Sequence, residues 1–213
     1  GWLLGTELTA KVNAALAVYE QEKLPMTYAV GDGNHSLATA KACYEELKKN
    51  NPDKDMSNHP ARFALVELEN IHDEAQEFEP IHRLVTGVDT DKLIKELKLS
   101  IGSETGSSIT CCVNGCEENV CLNQELGELA VGILQNFLDE YLKTNAGDID
   151  YIHGEDVLRE LAQEKNTIGF LVPTIDKTQL FSGIERDGVL PRKTFSMGHA
   201  QEKRYYLECR KIR

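Results

Sequence analysis

The residues with the clearest chemical potential form a short turn at residues 31–36, with the sequence Gly-Asp-Gly-Asn-His-Ser. A short apolar run precedes the turn and an alanine-rich segment follows it, which is typical of a turn that opens into a helix. The first backbone N–H groups of a helix lack partners within the helix and carry partial positive charge, so they bind phosphate readily. The turn is therefore a candidate phosphate site.

The side chains of this turn suggest two kinds of role. Its glycines allow a sharp bend and a close approach of ligand to backbone, and the residues after them add polar groups. The predicted phosphate-binding residues are Gly31, Gly33, Asn34, His35 and Ser36. Asp32 and His35 are catalytic candidates, and Asp32 would hold Mg²⁺ or act as a base. The alternative is that Asp32 and Asn34 only cap a helix.

A second polar cluster comprises Glu79, His82 and Arg83. A carboxylate, an imidazole and a guanidinium so close together can bind phosphate or move a proton, and we predict binding roles for Glu79 and Arg83. His82 is the third catalytic candidate, and with Arg83 it would stabilise transferring charge. The alternative is a salt-bridged strand end. In an extended strand His82 faces away from the other two, so the three need not converge.

Two further segments offer polar groups. Arg192 and Lys193 lie in a basic, hydroxyl-rich loop after Pro191, and we predict that they supply positive charge to the anion site. The alternative is an exposed connector. His153 and Gly154 end another predicted strand, before two acidic residues whose presence helix capping alone explains.

The cysteines do not have the spacing of a metal site. Four of the six lie within residues 111–121, without paired Cys-x-x-Cys spacing. The Asn-Gly pair at residues 114–115 predicts a hairpin of strands 107–113 and 116–122, which accounts for this segment without metal. We expect no structural metal, and we expect reduced thiols in a cytoplasmic protein.

The remaining pattern predicts an α+β fold, with a mixed sheet and flanking helices in a single domain over residues 1–213. Besides the hairpin, strands are expected at residues 26–30, 62–69, 78–85, 150–153, 168–172 and 203–212. Helices are expected at residues 7–22, 36–49, 89–97, 131–142 and 156–165, with another starting at 177–181. These elements must position the candidate residues.

Composition narrows the possible partners. The net charge of −12 argues against nucleic acid and anionic membrane surfaces as partners, since both need clustered basic charge.

No run of about 18 apolar residues exists, so a membrane span is not expected. The first residues lack the pattern of a signal peptide, and without an initiator Met the chain is expected to be part of a longer protein. The oligomeric state is not predicted.

Three segments resemble a family of bacterial proteins known as domain of unknown function 1015. Residues 30–40 are similar to its Ala-Asp-Gly-His/Asn-His-Arg-x-x-x-Ala signature. Residues 78–83, Phe-Glu-Pro-Ile-His-Arg, resemble its second signature, and residues 152–156, Ile-His-Gly-Glu-Asp, its third. Together these segments span most of the chain. Members are generally longer at the N-terminus, which agrees with the expectation of a longer protein.

The first signature also resembles turns of the ParB, sulfiredoxin and free-serine kinase superfamily. In that superfamily a strand-turn-helix holds nucleotide phosphates, so the resemblance implies ATP or ADP with Mg²⁺ as cofactors. Ser36 stands where those turns often carry arginine, so the bidentate clamp that arginine provides is absent from this turn.

Three functions remain open at this stage. The first is binding of a nucleotide or phosphorylated small molecule, in the stronger form by a phosphotransferase or phosphohydrolase similar to free-serine kinase. The second is a non-catalytic ligand-binding or regulatory domain that uses the same turn as an anion sensor. The third is a structural turn in a protein whose acidic surface serves protein association.

Overall fold

The computed structural model describes residues 3–21 and 26–197, which form two compact units. Within this described part, the first unit comprises residues 3–21 and 26–69, and the second comprises residues 70–197. The assignment of residues 1–213 to a single domain stays a prediction. The strand expected at 203–212 lies outside the described residues.

The first unit is built from two helices and a short 3₁₀ turn. Helix α1 spans Thr6–Gln21, helix α2 spans Asn34–Asn50, and the 3₁₀ turn spans Pro60–Arg62. The hydroxyl of Tyr44 on α2 donates a hydrogen bond to the carbonyl of Met56 at 2.9 Å, which ties the helix to the segment that follows it. The helices predicted in this part of the chain are therefore confirmed.

Two strands predicted in the first unit are wrong. Residues 26–30 and 63–69 contain no strand, although their apolar residues favoured one. The side chains of Val30 and Leu65 are 53% and 71% exposed. A strand needs a hydrogen-bonding partner and a buried face, and an alternating local pattern supplies neither of them.

The second unit contains a six-stranded sheet. Its strands are β1 (Phe78–Thr86), β2 (Ser108–Val113), β3 (Cys116–Cys121), β4 (Asp148–His153), β5 (Thr167–Leu171) and β6 (Phe195–Met197). The order is β3-β2-β5-β1-β4, and β6 pairs with the start of β1. Every pairing is antiparallel, which refines the expectation of a mixed sheet. The predicted α+β fold is confirmed.

The predicted hairpin is confirmed, and its turn has the expected backbone conformation. Asn114 has φ 49° and Gly115 has φ 76°, the left-handed values that an Asn-Gly turn requires. Val113 is paired with Cys116, so only these two residues connect β2 to β3. A local sequence signal was therefore sufficient to set this strand register.

Helices pack on both faces of the sheet. Helices α3 (Thr90–Ile101) and α4 (Ala130–Thr144) share one large core with Val85 of β1 and Phe170 of β5. Helix α5 (Glu155–Leu161) covers the opposite face, where its Leu158 packs against Leu84. Since neighbouring residues of a strand face opposite ways, β1 presents alternate side chains to the two cores.

The remaining predicted elements differ from the observed ones in extent, and strand β6 was not predicted. Helix α5 ends at Leu161, before the predicted end, and helix α6 spans Lys177–Asp187. The short strand β6 occupies part of the loop expected at residues 192–197. No helix within residues 3–21 and 26–197 is both long and apolar enough to cross a membrane.

A pair of glycine substitutions tests this packing. In Gly169→Ala the new methyl group would lie 2.9 Å from Cγ of Leu158, so we expect a loss of about 1–3 kcal/mol in the free energy of unfolding. In Gly132→Ala the methyl group meets nothing within 4 Å on helix α4, so we expect a gain of about 0.5–1 kcal/mol. Urea unfolding measures both values. Equal effects of the two substitutions would contradict the close packing of α5 on β5.

Candidate functional site

The turn before α2 has the geometry of an open helix start. Gly33 precedes the helix with φ 78°, and no side chain accepts a hydrogen bond from the first N–H groups of the helix. The side chain of Asp32 instead accepts one from the N–H of Gly33 at 2.8 Å. The first turn contains no acidic residue. Backbone donors and the positive end of the helix dipole are thus not neutralised by the helix itself.

Other helix starts in the described chain differ from this one. Asp89 and Asp176 cap α3 and α6 with their side chains, and α5 carries two acidic residues in its first turn. Helix α4 also lacks a side-chain cap, but its start is buried, with Leu129 only 5% exposed. The start of α2 therefore combines missing capping, access to solvent and a first turn without acidic residues.

The polar side chains at this start are exposed to solvent. Asn34, His35 and Ser36 occupy the first three helical positions, and all three are exposed, as are Gly31 and Asp32. Side chains at these positions lie beside the free N–H groups. The structure thus brings the sequence-predicted residues of the turn together in the first unit.

Glu79 is the second residue of β1. It is paired with Ser196 of β6 and lines an open groove of about 430 Å³. Glu74, Glu77 and Lys177 line the same groove. The carboxylates there outnumber the cationic side chain, which makes the groove a poor environment for phosphate because like charges repel. The phosphate-binding role predicted for Glu79 therefore gains no support from its surroundings.

His82 is buried on the α5 face of the sheet. It is 1% exposed, and its Nδ1 accepts a hydrogen bond from the N–H of Val172 at 3.2 Å. Burial lowers the pKa of His82, and the charge of Glu155 partly opposes this effect. The imidazole is therefore held neutral as a hydrogen-bond acceptor inside the protein.

Arg83 lies on the opposite face and is fully buried. Its Nε donates to Oε1 of Gln135 on α4 at 2.9 Å, and its Nη1 donates to the carbonyls of Ile81 and, at 3.0 Å, Lys193. Burial lowers the pKa of Arg83 to about 10, so the guanidinium stays charged at neutral pH. The sheet therefore separates Arg83 from His82, and the joint action predicted for them has no geometric support.

Arg192 and Lys193 approach Arg83 from the loop before β6. Nε of Arg192 donates to the hydroxyl of Tyr151 on β4 at 3.4 Å, and Tyr151 lies directly opposite Arg83 in the sheet. The structure thus brings three sequence-predicted cationic residues together. Sequence reasoning missed Tyr151 and Gln135, because strand register and helix packing, rather than any local motif, place them beside Arg83.

The remaining candidates of the second unit are His153 and the cysteines of β2. His153 ends β4 and is exposed. Burial raises the pKa of the Cys111 thiol to about 12 and that of Cys112 to about 11, which disfavours the thiolate needed for nucleophilic or metal chemistry. Within the described part of the chain, no group of three or more His, Cys, Asp or Glu residues is arranged to hold a metal ion.

Fold and site together define an antiparallel α+β protein with an exposed, uncapped helix start. A family model described as "Protein of unknown function (DUF1015)" matches residues 5–212, so the chain belongs to this family. The family resemblance noted in the sequence is thereby confirmed. No curated protein matches the chain.

The buried position of His82 predicts a pH dependence of stability. Because its folded pKa is lowered, the unfolded chain takes up the proton first as the pH falls below the unfolded value of about 6.5. The stabilising contribution is complete above that pH and is lost as the solution becomes more acidic. The variant His82→Asn keeps a hydrogen-bond acceptor for the N–H of Val172 but cannot take up this proton. Between about pH 7.5 and about pH 5.5, its free energy of unfolding should therefore fall by about 1 kcal/mol less than that of the wild-type protein.

Urea unfolding at the two pH values measures this difference. His153→Asn is the matched control, since it removes an exposed histidine from the neighbouring strand. An unchanged pH dependence in His82→Asn would contradict the neutral, buried state of His82.

Proposed function

We propose that the chain binds a small phosphorylated molecule or a nucleotide such as ATP or ADP at the start of α2. The observation that carries this proposal is the helix start itself, which is exposed, free of acidic residues in its first turn and without a side-chain cap. A phosphate there accepts hydrogen bonds from backbone N–H groups and meets the positive end of the helix dipole.

The side chains of the turn support the same ligand. Asn34 and Ser36 offer hydrogen-bond donors to phosphate oxygens, and His35 adds a further donor beside them. Gly33 carries no side chain that would block the approach of a ligand to the backbone. In sequence, this turn resembles the nucleotide-binding turn of the ParB, sulfiredoxin and free-serine kinase superfamily, which agrees with a phosphate-bearing ligand, but residues 26–30 do not form the strand that precedes the turn in that superfamily.

The catalytic form of the proposal is a small-molecule phosphotransferase similar to free-serine kinase. His35 and Asp32 are the groups at the turn that accept a proton, and Asp32 is the adjacent carboxylate for Mg²⁺ carried by nucleotide phosphates. Gly33 and the residues after it would hold the transferring phosphoryl group. This form requires a second substrate with a hydroxyl group near the turn.

A non-catalytic ligand-binding or regulatory role is the second candidate. It is favoured by the separation of His82 from Arg83, because the second unit then lacks the joined acid–base and charge-stabilising pair predicted for catalysis. In that role, the domain senses a phosphorylated ligand by binding its phosphate at the start of α2.

A charge substitution at Ser36 tests the binding site. A glutamate here stabilises the helix start by about 0.3–1 kcal/mol but repels phosphate, so Ser36→Glu should lower the affinity about tenfold or more without loss of stability. Ser36→Gln is the matched neutral control and should keep most of the affinity. Calorimetric titration with ATP, ADP, CTP and phosphoserine, with and without Mg²⁺, measures both. Equal affinity of the two variants would contradict a phosphate at this turn.

Alanine at His35 distinguishes catalysis from binding. If His35 moves a proton in phosphoryl transfer, His35→Ala should lower the turnover of ATP about 100-fold or more while the fold and most of the ligand affinity persist. If it only binds phosphate, affinity should fall and no turnover should be measurable in the wild-type protein either. A change in stability alone would contradict both roles. Coupled ADP release, calorimetry and urea unfolding together separate these outcomes.

A further inference from the structure

Three positive charges surround one tyrosine ring in the second unit. The guanidinium carbons of Arg83 and Arg192 lie 5.0 and 5.7 Å from the ring centroid of Tyr151, and Nζ of Lys193 lies 5.1 Å from it. An aromatic face attracts a cation, but each such contact contributes only about 0.5–2 kcal/mol. One ring therefore does not neutralise three cations.

These three cations have no ion-pair partner among the described residues. Asp139 is the carboxylate that influences both arginines, yet it is exposed and accepts a hydrogen bond from Nε2 of Gln135 instead. Like charges that lie close together without an ion-pair partner are unfavourable unless an anion joins them.

Arg83 gives a second, independent indication. Its side chain is completely buried, and its Nη2 has no hydrogen-bond partner although its Nε and Nη1 are both satisfied. An unpaired buried donor costs about 1–3 kcal/mol, and more when it is charged. Nη2 is thus a donor held beside the tyrosine ring without an acceptor.

The surrounding contacts hold these cations in place. Gln135 fixes Nε of Arg83 from helix α4, and the bond from Nη1 to the carbonyl of Lys193 holds the loop against β1. Lys193 itself has φ 54°, a left-handed conformation that is uncommon for residues other than glycine. The loop is therefore shaped to present its two side chains beside Arg83.

We propose that Arg83, Arg192 and Lys193 bind the phosphate group of a small molecule at Tyr151. A doubly charged phosphate accepts hydrogen bonds from several directions and matches a buried guanidinium flanked by two exposed cations. A single carboxylate would be satisfied by one arginine. Gln135 and Tyr151 are positioning residues, since they orient the cations. The site lies wholly in the second unit and does not rest on the function proposed for α2.

Pyrophosphate is a suitable probe, measured by calorimetric titration of the full chain. Because changes at Arg83 disturb its bonds to Gln135 and the loop, the exposed residues are the better targets. We expect the double variant Arg192→Gln with Lys193→Asn to lose about tenfold or more in affinity at this site, since two charged donors are removed. Asparagine tolerates the left-handed backbone of residue 193.

The control variant is Lys95→Gln with Lys165→Gln, which removes the same net charge from exposed positions in the same unit. It should bind pyrophosphate within about twofold of the wild-type protein, as expected for a purely long-range effect of charge. Equal losses in the two double variants, or no loss in either, would overturn the proposed site. Circular dichroism and the urea midpoint establish that both variants are folded.

The Ser36→Glu variant separates this site from the one proposed at α2. If it keeps pyrophosphate binding that the Arg192 and Lys193 variant loses, the second site is supported whatever the outcome at α2. If Ser36→Glu abolishes all binding and the double variant keeps it, the second site is overturned and the α2 site is supported. If each variant loses part of the pyrophosphate binding and the two losses are additive, both sites are supported.

Discussion

The second unit is organised around a charge buried in the middle of its sheet. Arg83 lies on the central part of β1 between Phe170 and Tyr151 of the neighbouring strands, and none of its surface is exposed. A guanidinium removed from water must be hydrogen-bonded, and its partners come from helix α4, from its own strand and from the loop before β6. This requirement fixes helix, sheet and loop relative to one another and leaves Nη2 without a partner.

The two faces of β1 explain why the chemical groups of the unit act separately. Residues on the face of Val85 meet α3 and α4, and residues on the face of Leu84 meet α5. His82 therefore accepts a hydrogen bond from Val172 on the α5 side, whereas Arg83 lies on the α4 side, beside the same tyrosine ring as Arg192 and Lys193. Adjacent residues in a sequence motif are thus kept apart by the pleat of one strand. This arrangement favours an anion-binding role for the unit over joint proton and phosphoryl chemistry by this pair.

Features with strong local signals could be predicted from the sequence. The Asn114–Gly115 turn set a hairpin register, and the helical pattern of the sequence located α2, α3 and α4. The polar turn before α2 was also recognisable, because its residues are consecutive in the chain. The class of the fold and the family followed from these local signals.

Features that depend on distant partners could not be predicted. The segments at 26–30 and 63–69 have strand-like apolar residues but no pairing partner in the described structure. Their local preference for β-structure was therefore not sufficient to form a strand. The neighbours of Arg83 are 52 and 68 positions away along the chain, and only the sheet register and the packing of α4 bring them together. The alternation of side chains along a strand predicted that His82 and Arg83 face opposite sides of the sheet. The sequence did not predict which helix covers each face.

Amide NMR spectra of the full chain during titration with inorganic phosphate test the central claim of phosphate binding most directly. If phosphate binds as proposed, the largest shifts should occur at the amides of residues 34–36, where the free N–H groups of α2 point, with a separate set at residues 192–193. Saturation of these shifts would support specific binding. Unchanged amides at both places, or shifts spread evenly over exposed lysines, would contradict the account.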